Sequence, residues 1–414
     1  MNTPAQTSAL AQPSTTRFAL WALTSLFFMW GFITAMNDVL IPHLKSLFAL
    51  SYTQAMLVQF CFFGAYFLVS IPAGKLVSKI GYQKGIAVGL TTAAIGCVMF
   101  IPSAFLAQYS MFLASLFVLA SGVTVLQVAA NPLVTVMGDP DTASSRLTMT
   151  QAFNSLGTTV APIIGGMLLF SSHGEAVETN ADSVILPYLA LAAALLIMAV
   201  VMLKIAMPTP PTDNTELPTS ADSSVLKHRH LALGVIGLFT YVGAEVTIGS
   251  FLVNYLGLDN VMGMGESQAS KYTAYYWGGA MVGRFIGAIV MQKVSAGKLL
   301  AFNSAVSCGL IILSVSSDGL LAMWSILAVG LCNSIMFPTI FSLALKGLGQ
   351  QTAQGSGMLC LAIVGGAIVP LVQGALADSI GLQLSFLLPL ICYFYIAYYG
   401  LVGCKPVISK EIHS

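Results

Sequence analysis

The sequence predicts an all-α integral membrane protein whose twelve transmembrane helices form two pseudo-symmetric six-helix halves. Three observations lead there. Of 414 residues, 57% are hydrophobic and only 7% charged, whereas soluble domains carry about 25% charged residues. So few charges cannot cover a water-facing surface, and the apolar excess must face lipid. The apolar residues fall into twelve runs of about 20, the length that crosses a bilayer as a helix. Finally, the Lys and Arg residues divide very unequally between the two sides that those runs define.

Residues 1–16 are polar and rich in Ser, Thr, Gln and Pro, the composition of a disordered N-terminus. Arg17 leads straight into span one at 17–42. A cleaved signal peptide would have an earlier charged region and a shorter apolar core, so this span is read as retained. Spans two to six follow at 54–75, 85–104, 109–133, 146–170 and 185–206. The stretch 207–229, containing PTPPTDNTELPTSADSS, has the Pro, Thr and Ser content of a flexible linker. Spans seven to twelve lie at 231–256, 268–292, 298–317, 320–345, 353–377 and 384–404. The expected organisation is an N-terminal bundle over 17–206, a linker over 207–229, a C-terminal bundle over 230–405 and a tail over 406–414. No run of ten-residue alternating strands suggests a barrel.

With both termini on the cytoplasmic side, thirteen of the sixteen Lys and Arg residues lie inside, among them Arg17, Lys75, Lys79, Arg146 and Lys346. Only Lys45 and Lys271 lie outside, and Arg284 falls within a span. Shifting the count by one helix destroys this positive-inside signal. The loop SSHGEAVETNADSV at 171–184 has three acids and no Lys or Arg, which suits an outer face. The net charge of +1 points to no nucleic-acid partner; the expected partners are the lipid bilayer and a small molecule, with the chain a monomer. The seven cysteines sit in apolar stretches without a C-x-x-C pair and read as small buried hydrophobes.

The two halves echo each other. Phe63-Gly64 and Lys79 recur as Trp277-Gly278 and Lys293, 214 positions later; Pro132 recurs as Pro338 after 206, and Asp38 has an acidic counterpart in Glu245 after 207. Such duplication places a binding site between the halves, near the bilayer midplane.

Only Asp38 and Glu245 are carboxylates well inside the spans. An ionised side chain near the bilayer centre costs about 2.5–3.5 kcal/mol on insertion scales, so each requires a cavity, an ion or a proton. A buried carboxyl favours its neutral form. It can take up and release a proton as the cavity opens to each side, or it can coordinate Na⁺ beside carbonyls and amides. Asp38 admits another reading, snorkelling to the outer interface, because Pro42, His43 and Lys45 follow it. Asn37 adjoins it; Gln127 and Asn131 are four apart on one face of span four; Gln151, Asn154 and Ser155 share a face of span five; Asn333 lies in span ten. Tyr241 precedes Glu245 by one turn, and Trp277 closes an aromatic cluster with Tyr272, Tyr275 and Tyr276. Amides suit sugar hydroxyls and aromatic faces suit a sugar's C–H face; the same amides can instead bond helix to helix. Pro132 and Pro338 free backbone carbonyls, either as cavity-lining breaks or as tolerated kinks. Arg284 reads as a gate or interface residue. His228 and His230 flank Arg229 beside the linker, as a solvated basic cluster. No P-loop indicates ATP drive, and no metal or other cofactor is expected beyond co-transported H⁺ or Na⁺.

The stretch GKLVSKIGYQK at 74–84 resembles the short basic loop of the major facilitator superfamily, with Ser78 in place of a usual acid. NDVLIPHL at 37–44, LQVAANPLVTVMG at 126–138, QAFNSLG at 151–157, YVGAEVTIGSFLVNYL at 241–256 and FPTIFSLALKGLGQ at 337–350 resemble its fucose–proton symporter family, and more closely the bacterial glucose/galactose and N-acetylhexosamine branch. The resemblance implies cation-coupled sugar import by alternating access, in the cell inner membrane. It also implies a proton-coupling role for Asp38. The fucose-type pattern carries Glu where this chain has Gln127, and Gln where it has Glu245, so the second acid lies in the opposite half. The expected function is import of a neutral hexose coupled to H⁺ or Na⁺. Asp38 and Glu245 are expected to carry the coupling, and Asn37, Gln127, Asn131, Gln151, Asn154, Tyr241, Glu245, Trp277 and Asn333 to bind sugar. A drug–proton antiporter would have a more apolar cavity, a non-transporting sensor would bind without moving sugar, and an enzyme would need a nucleophile or metal constellation.

Overall fold

A computed structural model describes residues 13–47, 52–106, 108–170, 185–205 and 225–406. Asn37 and Asp38 lie in the first helix, but their side chains are outside the described residues, as are the segments 1–12, 171–184, 206–224 and 407–414.

Six helices make the first half: α1 (Pro13–Leu47), α2 (Tyr52–Ile80), α3 (Tyr82–Leu106), α4 (Tyr109–Val136), α5 (Ala143–Phe170) and α6 (Ile185–Lys204). The second half begins with α7 (Arg229–Leu256), α8 (Glu266–Val290) and α9 (Ala296–Val315). Its last three rods are interrupted. Span ten is α10 (Gly319–Asn333) and α11 (Met336–Leu345). Span eleven is α12 (Thr352–Leu361), a 3₁₀ turn and α13 (Gly365–Ile380). Span twelve is α14 (Leu382–Ser385) and α15 (Leu387–Tyr398), closed by a π turn at Tyr399–Gly403. Ten of the rods are long and apolar enough to cross a membrane. Those ten do not include α5 and α8, which are as long but carry Arg146, Gln151 and Asn154, and Glu266, Lys271 and Arg284.

Small residues bring the helices together, as is usual where lipid removes the hydrophobic drive between them. Gly89 and Gly96 of α3 abut Leu126 and Leu119 of α4, and Gly157 of α5 abuts Phe28 of α1. On α8, Gly279, Gly283 and Gly287 recur every four residues and pack against Leu331, Ser334 and Ile335 of span ten. The large side chains facing lipid, such as Phe67, Ile197, Phe302 and Leu371, are more than half exposed. In a water-soluble protein that would be costly; in a bilayer it is the expected surface.

Two local expectations are corrected. His230 is buried rather than solvated: it lies on the inner face of the first turn of α7, where its carbonyl accepts a hydrogen bond from the Tyr399 hydroxyl at 3.2 Å. The segment just before it is a 3₁₀ turn at Val225–Lys227, and His228 Nε2 pairs with Gln351 Oε1 at 2.9 Å. The end of the stretch read as linker is therefore docked on the second half. Pro132, by contrast, does not break span four; α4 runs through it.

Candidate functional site

The two halves touch at the end that carries Lys75, Lys79, Arg146 and Lys346. The seal there is made mostly of hydroxyls. Ser144 and Ser342 share a hydrogen bond of 2.6 Å, and Ser145 donates to the carbonyl of Ala288 at 2.5 Å. Ser356 donates to the carbonyl of Val128 at 2.9 Å. That carbonyl is the one Pro132 leaves unpaired four residues on, because proline has no N–H to return. Lys346 and Asp141 form an exposed ion pair at 3.6 Å. Where α2 meets α12 the backbones themselves touch: a Cβ on Gly357 would stand 2.7 Å from the Ser70 carbonyl oxygen and 3.2 Å from Gly74 Cα.

Above this seal the polar side chains of the spans converge. In the first half, Gln127 and Asn131 of α4 are 3% and 0% exposed. Gln127 Oε1 accepts from the Tyr66 hydroxyl at 2.7 Å, and Asn131 Oδ1 accepts from Gln151 Nε2 of α5 at 3.4 Å. The amide nitrogen of Asn131 and the hydroxyl of Thr148, one turn before Gln151, are buried without a hydrogen-bond partner. A buried donor without an acceptor costs about 1–3 kcal/mol. Asn154 is committed elsewhere: it donates to the carbonyl of Phe27 at 3.0 Å and fastens α5 to α1, where Gly31 leaves room for it.

In the second half the break in span ten organises the site. Three consecutive carbonyls left free there each find a donor on a different helix. Asn303 of α9 donates to Cys332 at 3.1 Å, Tyr241 of α7 to Asn333 at 3.1 Å, and Arg284 of α8 to Ser334 at 3.2 Å. Ser334 is again four residues before a proline, Pro338. The side chain of Asn333 donates to the Tyr276 hydroxyl at 2.8 Å and accepts from Tyr393 at 2.6 Å. Tyr276 in turn donates to the backbone carbonyl of Glu245 at 3.1 Å. Tyr241, Tyr276, Tyr393 and Asn333 are all fully buried, so they hold the break and the backbone of Glu245 in place.

Glu245 as a residue is intermediate in exposure, and the electrostatic neighbours of its carboxyl are Arg284 and the Tyr241 hydroxyl. One turn further along the same face of α7, the Trp277 ring lies over Gly249, where a Cβ would come within 2.7 Å of it. Trp277 stays 46% exposed. Tyr272 and Tyr275 pack on Trp324 instead, at ring separations of 6.4 and 5.4 Å. Tyr66, Gln127, Asn131 and Gln151 are thus linked within the first half, and Glu245, Arg284 and Trp277 lie on neighbouring helices of the second. Tyr66, Tyr393 and Ser356 had no local sequence signal, since each acts through a partner distant in the chain.

A twelve-rod membrane protein whose halves close at one end over a polar interior is built as a transporter. The chain belongs to the Major Facilitator Superfamily, whose family model matches residues 22–364. It is 59% identical over 405 residues to the glucose/galactose transporter of Brucella abortus, covering 98% of each chain. It is 33% identical over 401 residues to the L-fucose-proton symporter of Escherichia coli, covering 91% of this chain and 90% of that one. It superposes on the crystal structure of the E. coli fucose:proton symporter with a TM-score of 0.85 at 30% identity, over 93% of this chain and 98% of that one.

Proposed function

We propose that this protein is a secondary active transporter that imports a neutral hexose of the glucose or galactose type, driven by a gradient of H⁺ or Na⁺. The observation that carries the reading is an acid within the spans, Glu245, beside Arg284 in one half, together with the unpaired Asn131 amide and Thr148 hydroxyl in the other, in a chain 59% identical to a glucose/galactose transporter. The acid supplies a site whose charge the driving ion can cancel. The amides supply bonds that an uncharged, hydroxyl-rich ligand can use.

On this reading Glu245 and Asp38 carry the driving ion. Gln127, Asn131 and Gln151 meet sugar hydroxyls, Trp277 offers a ring face, and Asn37 completes the site from α1. Asn154, Tyr241 and Asn333 hold helices together around it. Residues 17–206 and 230–405 act as the two moving bodies, joined by the linker that ends near 229. The lysine-rich end faces the cytoplasm, with both termini, in the cell inner membrane, so the conformation seen is the one closed to the cytoplasm. The transporting unit is the single chain.

Uptake of labelled glucose and galactose into proteoliposomes, with sodium and pH gradients imposed separately, tests this. Accumulation against a sugar gradient under one of the two is expected. Facilitated equilibration under both, with no accumulation under either, would sink it.

A further inference from the structure

We propose that Arg284 is a positioning residue that couples the charge on Glu245 to the seal between the halves. The proposal rests on the reading of Glu245 as an ion-carrying acid.

Arg284 stands on α8 about one helical turn nearer the sealed end than the level of Glu245, counting from the contact of Trp277 with Gly249. Two of its donors are placed. Nε goes to the Ser334 carbonyl that Pro338 leaves free, at 3.2 Å, and Nη1 goes to the hydroxyl of Ser155 in the opposite half. Gly283, with Ser334 directly against it, brings α8 close enough to the break for the first bond. Among the described residues, both hydrogen bonds that Arg284 donates go to neutral oxygens, and neither supplies a counter-charge. Glu245 is the carboxylate that faces it. Among the described residues, the remaining titratable groups around Glu245 are phenols, Tyr241 on α7, Tyr276 on α8 and Tyr393 on α15. Across the interface, the described polar residues of α5 at this level, Gln151, Asn154 and Ser155, carry amides and a hydroxyl, Phe153 packs on Phe285, and α13 meets α7 through Gly365 and Val369.

The consequence follows from the cost of an uncompensated buried charge. With Glu245 ionised, its negative charge balances the guanidinium, which can then lie desolvated between the halves with Ser155 as its bond across. Once a proton or sodium ion neutralises Glu245, a lone cation remains at the interface, held to the other half by one hydroxyl. Hydrating it requires the halves to part. Loading the acid thus weakens the seal, which is the order of events that symport needs.

The test uses the full-length protein and the variants R284M, R284K, E245Q and E245Q/R284M in proteoliposomes. Sugar accumulation and sugar counterflow are both followed across a series of pH values or sodium concentrations. R284M is expected to lose accumulation while retaining counterflow. Without the neighbouring cation Glu245 holds its ion more tightly, so the pH midpoint moves alkaline by about one unit, or the half-saturating sodium concentration falls about tenfold. R284K, which keeps the charge, restores the midpoint. A merely structural arginine would lower rates and leave the midpoint where it was, and that result overturns the proposal, as does unimpaired accumulation by R284M. If R284M fails to reach the membrane, the double variant decides: insertion and counterflow recovered by E245Q/R284M support charge compensation, and their absence refutes it. Accumulation by E245Q would instead refute the role of Glu245 and so strike the underlying reading.

Discussion

Replacing Gly357 with alanine should bias the protein towards the state in which the lysine-rich end is open. The added Cβ would stand 2.7 Å from the Ser70 carbonyl oxygen, 0.7 Å inside the 3.4 Å at which ordinary contact begins, and both neighbours are backbone. No side-chain rotation can relieve it, so α2 and α12 must separate. Overpacking of this kind costs about 1–3 kcal/mol. The cost arises only where the two helices touch, so it appears as a shift of about 5- to 150-fold in the equilibrium between states rather than as general instability. Hydrogen–deuterium exchange at the hydroxyl seal, in segments 139–148 and 340–352, would read the opening directly. Gly357→Ala should raise exchange there and leave the helix pairs within each half, such as α3 with α4, unchanged. Unaltered exchange at the seal would refute the reasoning. Uniform deprotection would also refute it, because that reports unfolding rather than a shift between states.

Further expectations are as follows. Asn333→Leu removes the acceptor of the Tyr393 hydroxyl and the donor to Tyr276, which keeps its bond to the Glu245 carbonyl; the stranded Tyr393 hydroxyl costs about 1–3 kcal/mol, and a thermal melt in detergent should fall. Tyr66→Phe should weaken sugar binding less than Gln127→Ala, because it deletes only the hydroxyl that orients Gln127; isothermal titration or counterflow affinity would compare them. Asp38→Asn should abolish concentrative uptake in the proteoliposome assay while sparing exchange. Lys346→Ala breaks an ion pair that is half and largely exposed on its two sides, and pairs of that kind contribute about 0–1 kcal/mol; its melting temperature should stay close to that of the parent.

The course of the chain was largely legible in the sequence because the bilayer imposes it. Span length and the side bias of Lys and Arg are one-dimensional properties. Pro132 and Pro338 could also be read as freeing carbonyls. What could not be read was the fate of those carbonyls. Val128 is met by Ser356, 228 residues away, and Ser334 by Arg284, 50 residues away. Asn333 shows the same limit. As a polar residue in an apolar span it invites a ligand, yet Tyr241, Tyr276 and Tyr393 take all its bonds. His230 was misjudged for a related reason, since its polar neighbours in sequence gave no sign that the first turn of α7 carries it inward beneath Tyr399. Tertiary partners, invisible to periodicity, decide which polar side chains are left for a ligand.

The composition of the seal sets how fast and under what conditions this protein can turn over. Hydroxyl-to-carbonyl bonds are worth about 0.5–1.5 kcal/mol each against water. A handful of them can close one end firmly and still release it on thermal timescales. Hydroxyls also carry no net charge, so dissolved salt screens them little. With only one exposed ion pair among the described contacts of the seal, the switching rate should be nearly indifferent to ionic strength. A carrier latched by lysines and acids would slow and quicken with every change in cellular salt.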